Sequence, residues 1–329
     1  MTHLEQLITR YRLFSLGLAT GLLFSVADAQ SDLTNQAVTS DLRLRPILGS
    51  LPAWSPDGRK IAFTRGGGVN GQIYLMNIDG THQTQLTNNT GDNRWLSWSH
   101  DSSKIAFASD RDHPMSMQFN KPSRYEIYVI NVNGTGERRL TFDNSQSLYP
   151  TWAPDGKTIA FTSGSDDSAA IYRIGADGSG QSRLSGGTEE FVMPAWSPNG
   201  AKIAMLKRDF FDRSIYLMNA DGSGIVKFTT APERPAYLSW SLDGALIAFS
   251  AKGTQEPTNC GSDWFKPDQI YVVKVRSGKV NELTDDCDRN WGPSWSPDGE
   301  KIIFTAGKSI HVIDADGGNK VQMTDVPVF

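Results

Sequence analysis

The 329-residue sequence predicts an all-β chain folded as a six-bladed β-propeller, with one four-stranded repeat per blade. Three observations support this prediction: a repeat built on tryptophan occurs six times, each copy contains signals for four short strands, and no copy can bury both of its apolar faces alone. The repeat tryptophans are Trp54, Trp98, Trp152, Trp196, Trp240 and Trp295. Their spacings of 44, 54, 44, 44 and 55 residues fit one blade each.

The order of signals within a copy predicts four antiparallel strands, A to D. A tight-turn motif such as Trp54-Ser-Pro-Asp-Gly58 separates strands A and B, because Pro presets φ and Gly accepts a positive φ. The apolar strand Lys60-Ile-Ala-Phe63 follows, then a strand that begins with Ile73-Tyr74, then an Asp79-Gly80 turn. Strands that are apolar on both faces need a neighbour on each side, so the repeats must stack and close into a ring. The repeat tryptophans are predicted to be largely buried packing residues.

The N-terminal segment predicts export. Arg10 and Arg12 precede an apolar stretch at Leu13–Val26, and Ala27-Asp28-Ala29 offers a cleavage site, so residues 1–29 are interpreted as a signal peptide. An uncleaved anchor is the alternative. Residues 30–50 form an N-terminal extension and residues 51–329 the propeller. We expect a periplasmic or secreted protein with no membrane span after signal cleavage.

Ring closure has two possible forms. The last outer strand is predicted at Lys320–Thr324, which would make the six repeats self-contained. The alternative is a clasp in which Asp41–Ile47 pairs beside blade six.

Composition argues against several functions. A formal net charge of −4 without a basic run argues against a nucleic-acid partner. The chain lacks a G-x-S-x-G motif, and the histidines after the predicted cleavage site fall too far apart in the repeat to share a metal: His82, His100, His113 and His311. We therefore predict a non-enzyme with no catalytic residues, no metal and no cofactor. An acidic cluster at residues 285–288 either holds a cation or is a solvated loop.

Binding is predicted on one face of the ring. Antiparallel order places the A–B and C–D turns on one side, the turn face, and the B–C and D–A loops on the other, the loop face. The B–C loops are longest in blades two and five, opposite each other, and long loops on a rigid scaffold commonly bind ligands. The predicted binding residues, all beside the central channel, are Asp92, Arg94, Trp95, Tyr149, Glu190, Arg234, Tyr237, Arg289 and Trp291. The alternatives are that the long loops are tolerated surface insertions, that the aromatic residues wedge between blades and that the charged residues are merely solvated.

The two cysteines are predicted to form a disulfide. Cys260 lies in the long B–C loop of blade five and Cys287 in the D–A loop that leads into blade six. Both loops belong to the loop face, and an exported chain enters an oxidising compartment. Two free thiols are the alternative.

The repeat resembles that of the TolB-type propeller family. The shared signatures are Pro-x-Trp-Ser-Pro-Asp-Gly and Ile-Tyr-x-Met-Asn-x-Asp-Gly, and they run from about Pro52 to Thr324, with local departures at His100-Asp-Ser102 and Ser277-Gly278. Family proteins carry an α/β domain before the propeller, which we expect to be absent here because only some 20 residues separate the predicted cleavage site from blade one.

The resemblance implies an exported, non-catalytic binding module of the cell envelope. Its partner would be an envelope protein or lipoprotein, such as a peptidoglycan-associated one. A carbohydrate-active propeller enzyme, a lyase or hydrolase, is the alternative, although related lyases use clustered histidines. A purely structural subunit of an envelope assembly is a third reading.

Overall fold

A computed structural model describes residues 51–66, 70–114, 123–164, 168–209, 214–229, 231–254 and 266–324. These residues form six four-stranded antiparallel sheets, arranged as the blades of a six-bladed β-propeller. The predicted fold class is confirmed. The predicted signal peptide, the N-terminal extension and the alternative clasp at Asp41–Ile47 lie outside the described residues.

Every blade has its strands in the order A, B, C, D from the channel outward. The innermost strands A all end at a repeat tryptophan: β1 (Ala53–Trp54), β5 (Asn93–Trp98), β9 (Gln146–Trp152), β13 (Phe191–Trp196), β17 (Ala236–Trp240) and β21 (Asn290–Trp295). Strands B are β2 (Lys60–Arg65), β6 (Lys104–Ser109), β10 (Thr158–Gly164), β14 (Lys202–Lys207), β18 (Leu246–Lys252) and β22 (Lys301–Ala306).

Strands C and D complete each blade. Strands C are β3 (Gln72–Asn77), β7 (Glu126–Asn131), β11 (Ala170–Gly175), β15 (Ile215–Asn219), β19 (Asp268–Lys274) and β23 (Ser309–Asp314). The short outermost strands D are β4 (Thr84–Gln85), β8 (Arg138–Arg139), β12 (Ser182–Arg183), β16 (Val226–Thr229), β20 (Val280–Glu282) and β24 (Val321–Gln322).

The Ser-Pro-Asp-Gly motif forms the A–B turn through its side chains. In blade one, Ser55 Oγ donates to Asp57 Oδ1 at 2.6 Å and accepts from the backbone N–H of Lys60 at 2.9 Å. The carboxylate of Asp57 also accepts from the backbone N–H of Arg59 at 3.1 Å. Each turn thus satisfies its own polar groups, which explains why the motif recurs.

The tryptophans join neighbouring blades. The indole Nε1 of Trp98 donates to the carbonyl of Ala53 in blade one at 3.0 Å, and Trp240 and Trp295 make the same bond to the blade before each of them. Trp98, Trp152 and Trp295 are buried, as predicted. The other three repeat tryptophans are partly buried and border the central cavity.

Blades one and six close the ring. Ile61 and Phe63 of blade one share an apolar cluster with Ile303 of blade six. The backbone N–H of Trp54 donates to Ser294 Oγ at 3.2 Å, as that of Trp152 does to Ser97 Oγ of the blade before it. Strand β24 is the outer strand of blade six, as predicted. Blades one and six therefore contact each other through their described strands.

One buried carboxylate replaces a glutamine in blade two. Glu126 is fully buried at the start of strand C, where blades one and five have Gln72 and Gln269. Its carboxylate accepts hydrogen bonds from Thr141 Oγ1 at 2.6 Å and from Arg139 Nη2 at 2.8 Å. Burial nevertheless raises the pKa of Glu126 to about 7.

The raised pKa predicts that the protein loses stability as the pH rises. Folded Glu126 keeps its proton up to about pH 7, whereas an unfolded glutamate releases it near 4.5, so the folded state binds more protons between these values. Stability is therefore lost as the pH rises through this window. Glutamine does not titrate, so we expect Glu126→Gln not to lose this stability. Relative to wild type, its free energy of unfolding should rise by about 2 kcal/mol between roughly pH 5 and pH 8. Denaturant unfolding of both proteins at pH 5 and at pH 8 measures this gain. A stability difference between them that does not change with pH would contradict the prediction.

Candidate functional site

A repeated irregularity in strand A shapes the channel wall. In blades two to six, two residues of strand A lie opposite one residue of strand B, which is a β-bulge. The first bulge residue stands three positions before the repeat tryptophan and has a left-handed φ. These residues are Trp95 (51°), Tyr149 (53°), Met193 (55°), Tyr237 (59°) and Gly292 (63°). A left-handed backbone is uncommon for bulky residues and costs about 1–3 kcal/mol, so it marks a candidate functional position.

The bulges surround a central cavity of about 340 Å³. The described residues that line it belong to strands A, to Leu51 and Pro52 just before β1, and to the A–B turns. Its wall consists largely of proline rings and aromatic side chains. The aromatic residues are Trp54, Trp95, Trp98, Tyr149, Trp196, Tyr237, Trp240 and Trp295.

The cavity opens at the turn face. Trp95 and Tyr149, at the bulge end, are only 5% and 7% exposed, whereas Leu242, in the A–B turn of blade five, is 52% exposed. His100, in the A–B turn of blade two, is also exposed and borders the cavity. The predicted binding on the loop face stays a prediction, because the long B–C loops of that face lie mostly outside the described residues.

The inner end of the cavity rests on a buried polar cluster. The rings of Trp95 and Tyr149 lie 4.7 Å apart across neighbouring blades, and Tyr125 packs against the edge of Trp95 at 5.2 Å. Tyr125 Oη donates to Asp92 Oδ2 at 2.9 Å, and Arg94 forms an ion pair with the same carboxylate. Burial raises the pKa of Tyr125 and of Tyr149, so both hydroxyls keep their protons at neutral pH.

Five of the nine predicted binding residues meet at this inner end. Trp95, Tyr149 and Tyr237 line the cavity, and Asp92 and Arg94 support Trp95 from behind, with the Arg94 guanidinium 5.9 Å from the indole ring. Their role in binding remains a prediction.

The other four do not line the cavity. Glu190 pairs with Arg208 at 3.2 Å, and Arg234 is exposed in the D–A loop before β17. Arg289 donates to Asp268 Oδ2 at 2.8 Å and covers the buried ring of Trp291 at 5.4 Å.

Sequence reasoning missed Met193 and Leu242. Met193 could have been found by counting three residues back from Trp196, the same position that Trp95 has before Trp98. Leu242 occupies a turn position at which other blades have a proline, namely Pro56, Pro198 and Pro297. This difference is the sequence signal that distinguishes Leu242. Neither residue is charged or aromatic, so neither carries the sequence signal on which the prediction of binding residues was based.

The long B–C loops of blades two and five fall mostly at residues 115–122 and 255–265, outside the described residues. Cys287 is described and is not a free thiol. Cys260 is not described, so the pairing of the two cysteines stays a prediction.

The acidic cluster of the last D–A loop is held by a lysine. Lys320 forms ion pairs with Asp286 and, at 3.8 Å, with Asp288. Within the described ranges, no group of three or more His, Cys, Asp or Glu side chains is placed to hold a metal ion. In the same ranges, no helix has the length and apolar character needed to cross a membrane.

The protein-family model described as the TolB beta propeller domain matches residues 36–114 and 113–258 of this sequence, well over half of the chain. This chain belongs to the TolB β-propeller family. The family predicted from the repeat signatures is therefore confirmed.

Two curated relatives carry the family name. The TolB homologue of Chlorobium luteolum is 32% identical over 117 residues, which is 34% of this chain and 23% of the relative. The Tol-Pal system protein TolB of Francisella tularensis is 31% identical over 122 residues, 36% of this chain and 26% of the relative. The matched stretch thus spans about a quarter of the length of these TolB proteins.

Solved structures share the fold. TolB from Acinetobacter baumannii superposes with a TM-score of 0.62 at 20% identity, over 89% of this chain and 67% of that one. An oligogalacturonate lyase from Vibrio parahaemolyticus gives 0.54 at 15% identity, over 83% of this chain and 77% of that one. At these identities the likeness concerns the fold alone.

Proposed function

We propose that this TolB-family chain is an exported binding module of the cell envelope, and that it holds a segment of a partner protein in its central cavity. The observation that carries the proposal is the cavity itself, about 340 Å³ and walled by tryptophan, tyrosine and proline rings. Volumes of this order are typical of ligand sites, and aromatic side chains dominate the anchor pockets of protein interfaces.

The exposed residues at the mouth of the cavity favour a protein as the partner. Leu242 is 52% exposed there, and a neighbouring groove runs past it between the A–B turns of blades five and six, along Leu246 and Pro297. Exposed apolar side chains that continue an apolar cavity favour contact with another macromolecule. Export rests on the predicted signal peptide. A relative named as part of a Tol-Pal system favours an envelope protein or lipoprotein as the partner.

Partner capture tests this proposal. Immobilised protein is incubated with envelope extract, and the bound partner is quantified for wild type and for Leu242→Asp, which places a charge at the apolar mouth. We expect Leu242→Asp to reduce capture more than about fivefold, equivalent to over 1 kcal/mol.

The control is Val321→Asp. Val321 is 55% exposed, like Leu242, but lies on the outer strand β24, away from the cavity. Capture should be unchanged in this variant. Equal effects of both substitutions, or no effect of Leu242→Asp, would contradict binding at the cavity mouth. Cleavage of oligogalacturonate by the wild-type protein would instead support the alternative, a carbohydrate-active enzyme.

A further inference from the structure

The A–B turns of neighbouring blades contact each other at most joints of the turn face. At three joints the turn glycine of one blade faces the turn proline of the blade before it, so that a Cβ added to the glycine would lie 3.2–3.7 Å from the proline Cγ. These pairs are Gly58 with Pro297, Gly200 with Pro154, and Gly244 with Pro198. Blades one and two meet instead through a hydrogen bond of 3.0 Å from the backbone N–H of Asp57 to Ser102 Oγ.

The joint between blades five and six is open. Blade five has Leu242 at the proline position, and no described atom lies within 4 Å of a Cβ added to Gly299 in the facing turn. The joint between blades two and three, where His100 replaces the proline, lacks the contact as well. Between blades five and six the gap is a groove of about 370 Å³, and its apolar lining consists of Leu242, Leu246 and Pro297.

Two carboxylates line the same groove, those of Asp243 and Asp298. The Oδ1 atom of each accepts from the serine hydroxyl of its own turn, at 2.6 and 2.5 Å, and these bonds lower the pKa of both carboxyls, so both are ionised at neutral pH. Within the described ranges, the Oδ2 atom of neither carboxylate accepts a hydrogen bond, and neither carboxylate forms an ion pair. Lys301, which follows in the turn of blade six, donates to Asp314 at 2.6 Å instead. The groove thus presents two negative charges without a cation in contact.

An arginine side chain matches both the apolar and the charged part of the groove. Its aliphatic stem covers apolar surface while its charged head stays at the solvent edge. The guanidinium carries five N–H donors in a planar fork and is weakly hydrated, so it can serve two carboxylates at little desolvation cost. Arginine is also enriched among the residues that contribute most to protein interfaces.

We propose that the groove between blades five and six binds an arginine side chain of the partner protein, with the guanidinium at Asp243 and Asp298 and the stem against Leu242, Leu246 and Pro297. This inference rests on the proposed function and specifies the residue type by which the partner is recognised beside the cavity.

Titration with a blocked amino acid tests the inference. Purified protein with isotope-labelled leucine methyl groups is titrated with N-acetyl-arginine methylamide and with N-acetyl-citrulline methylamide, its neutral isostere. The methyl signals of Leu242 and Leu246 are followed by NMR. We expect saturable shifts of both signals, with the arginine compound binding about fivefold more tightly than the citrulline compound. Asp243→Asn and Asp298→Asn should each weaken binding of the arginine compound about two- to fivefold and leave that of the citrulline compound unchanged.

Asp57→Asn is the matched control. Asp57 occupies the same turn position in blade one and accepts from Ser55 Oγ at 2.6 Å, but it does not line the groove. Asparagine is compatible with this turn, since Asn199 takes the position in blade four and accepts from Ser197 Oγ at 2.8 Å. All three variants should therefore fold, and Asp57→Asn should keep wild-type affinity for the arginine compound.

Absence of saturable shifts at Leu242 and Leu246, equal affinity for the two compounds, or equal effects of Asp57→Asn and Asp243→Asn would overturn the inference. If partner capture still depends on Leu242 in any of these cases, the proposed function stands and only arginine recognition fails. Loss of the Leu242 dependence of capture overturns the proposed function, and the recognition of a partner through the groove falls with it.

Discussion

Replacing Trp98 with alanine is expected to lower the free energy of unfolding by about 3–5 kcal/mol. Trp98 is 7% exposed and packs in the cluster that joins blade two to Ile73 and Leu75 of blade one. The substitution leaves a large cavity between the blades. It also removes the indole donor from the carbonyl of Ala53, a bond of 3.0 Å.

Trp152→Ala separates these two contributions. Trp152 is 6% exposed, but its indole Nε1 has no partner among the described residues. We expect Trp152→Ala to lower the free energy of unfolding by an amount in the same range, about 1 kcal/mol less than Trp98→Ala does. Denaturant unfolding of both variants measures the difference. A loss below about 1 kcal/mol in Trp98→Ala would contradict a structural role for the repeat tryptophans.

Replacing Gly80 with alanine is expected to cost about 2–4 kcal/mol. Gly80 lies in the C–D turn of blade one with a φ of 82°, a conformation that alanine adopts only with strain. An added Cβ would also come within 2.6 Å of the carbonyl oxygen of Met323 in blade six. The substitution therefore forces apart the two blades that close the ring.

Two other glycines calibrate this effect. Gly156 has a φ of 65°, but nothing lies within 4 Å of its added Cβ, so Gly156→Ala should cost only about 1 kcal/mol. Gly222→Ala meets Leu184 of the preceding blade in the same way as Gly80→Ala meets Met323, and should cost as much or more. Denaturant unfolding compares the three variants. If Gly80→Ala cost no more than Gly156→Ala, the close contact between blades one and six would be refuted.

The blades could be predicted because their signals are local. The turn around Ser55 and Asp57 closes through bonds within a few residues of the chain. Spacing and count of the tryptophans then fix the number of blades, since each sheet must cover its neighbours. Even Ser102, which replaces the turn glycine in blade two, adopts the expected left-handed φ of 59°.

The lining of the cavity could not be predicted in this way. Antiparallel order says which turns share a face, but the packing of Trp95 against Tyr149 across two blades follows from bulges that the sequence does not mark. Several of the predicted binding residues are charged side chains that lie outside the cavity lining. Glu190 and Arg289 proved to be paired with neighbours, whereas the uncharged Leu242 stands at the mouth of the cavity.

Site-specific photo-crosslinking tests most directly which face binds the partner. A photoreactive residue is placed either at Leu242 on the turn face or at Phe142, which is 72% exposed in a D–A loop on the loop face. Both positions are exposed and apolar, so the substitutions are matched. With envelope extract, we expect a crosslinked partner from position 242 and none from position 142. A crosslink from position 142 alone would contradict binding at the central cavity and would return the site to the loop face.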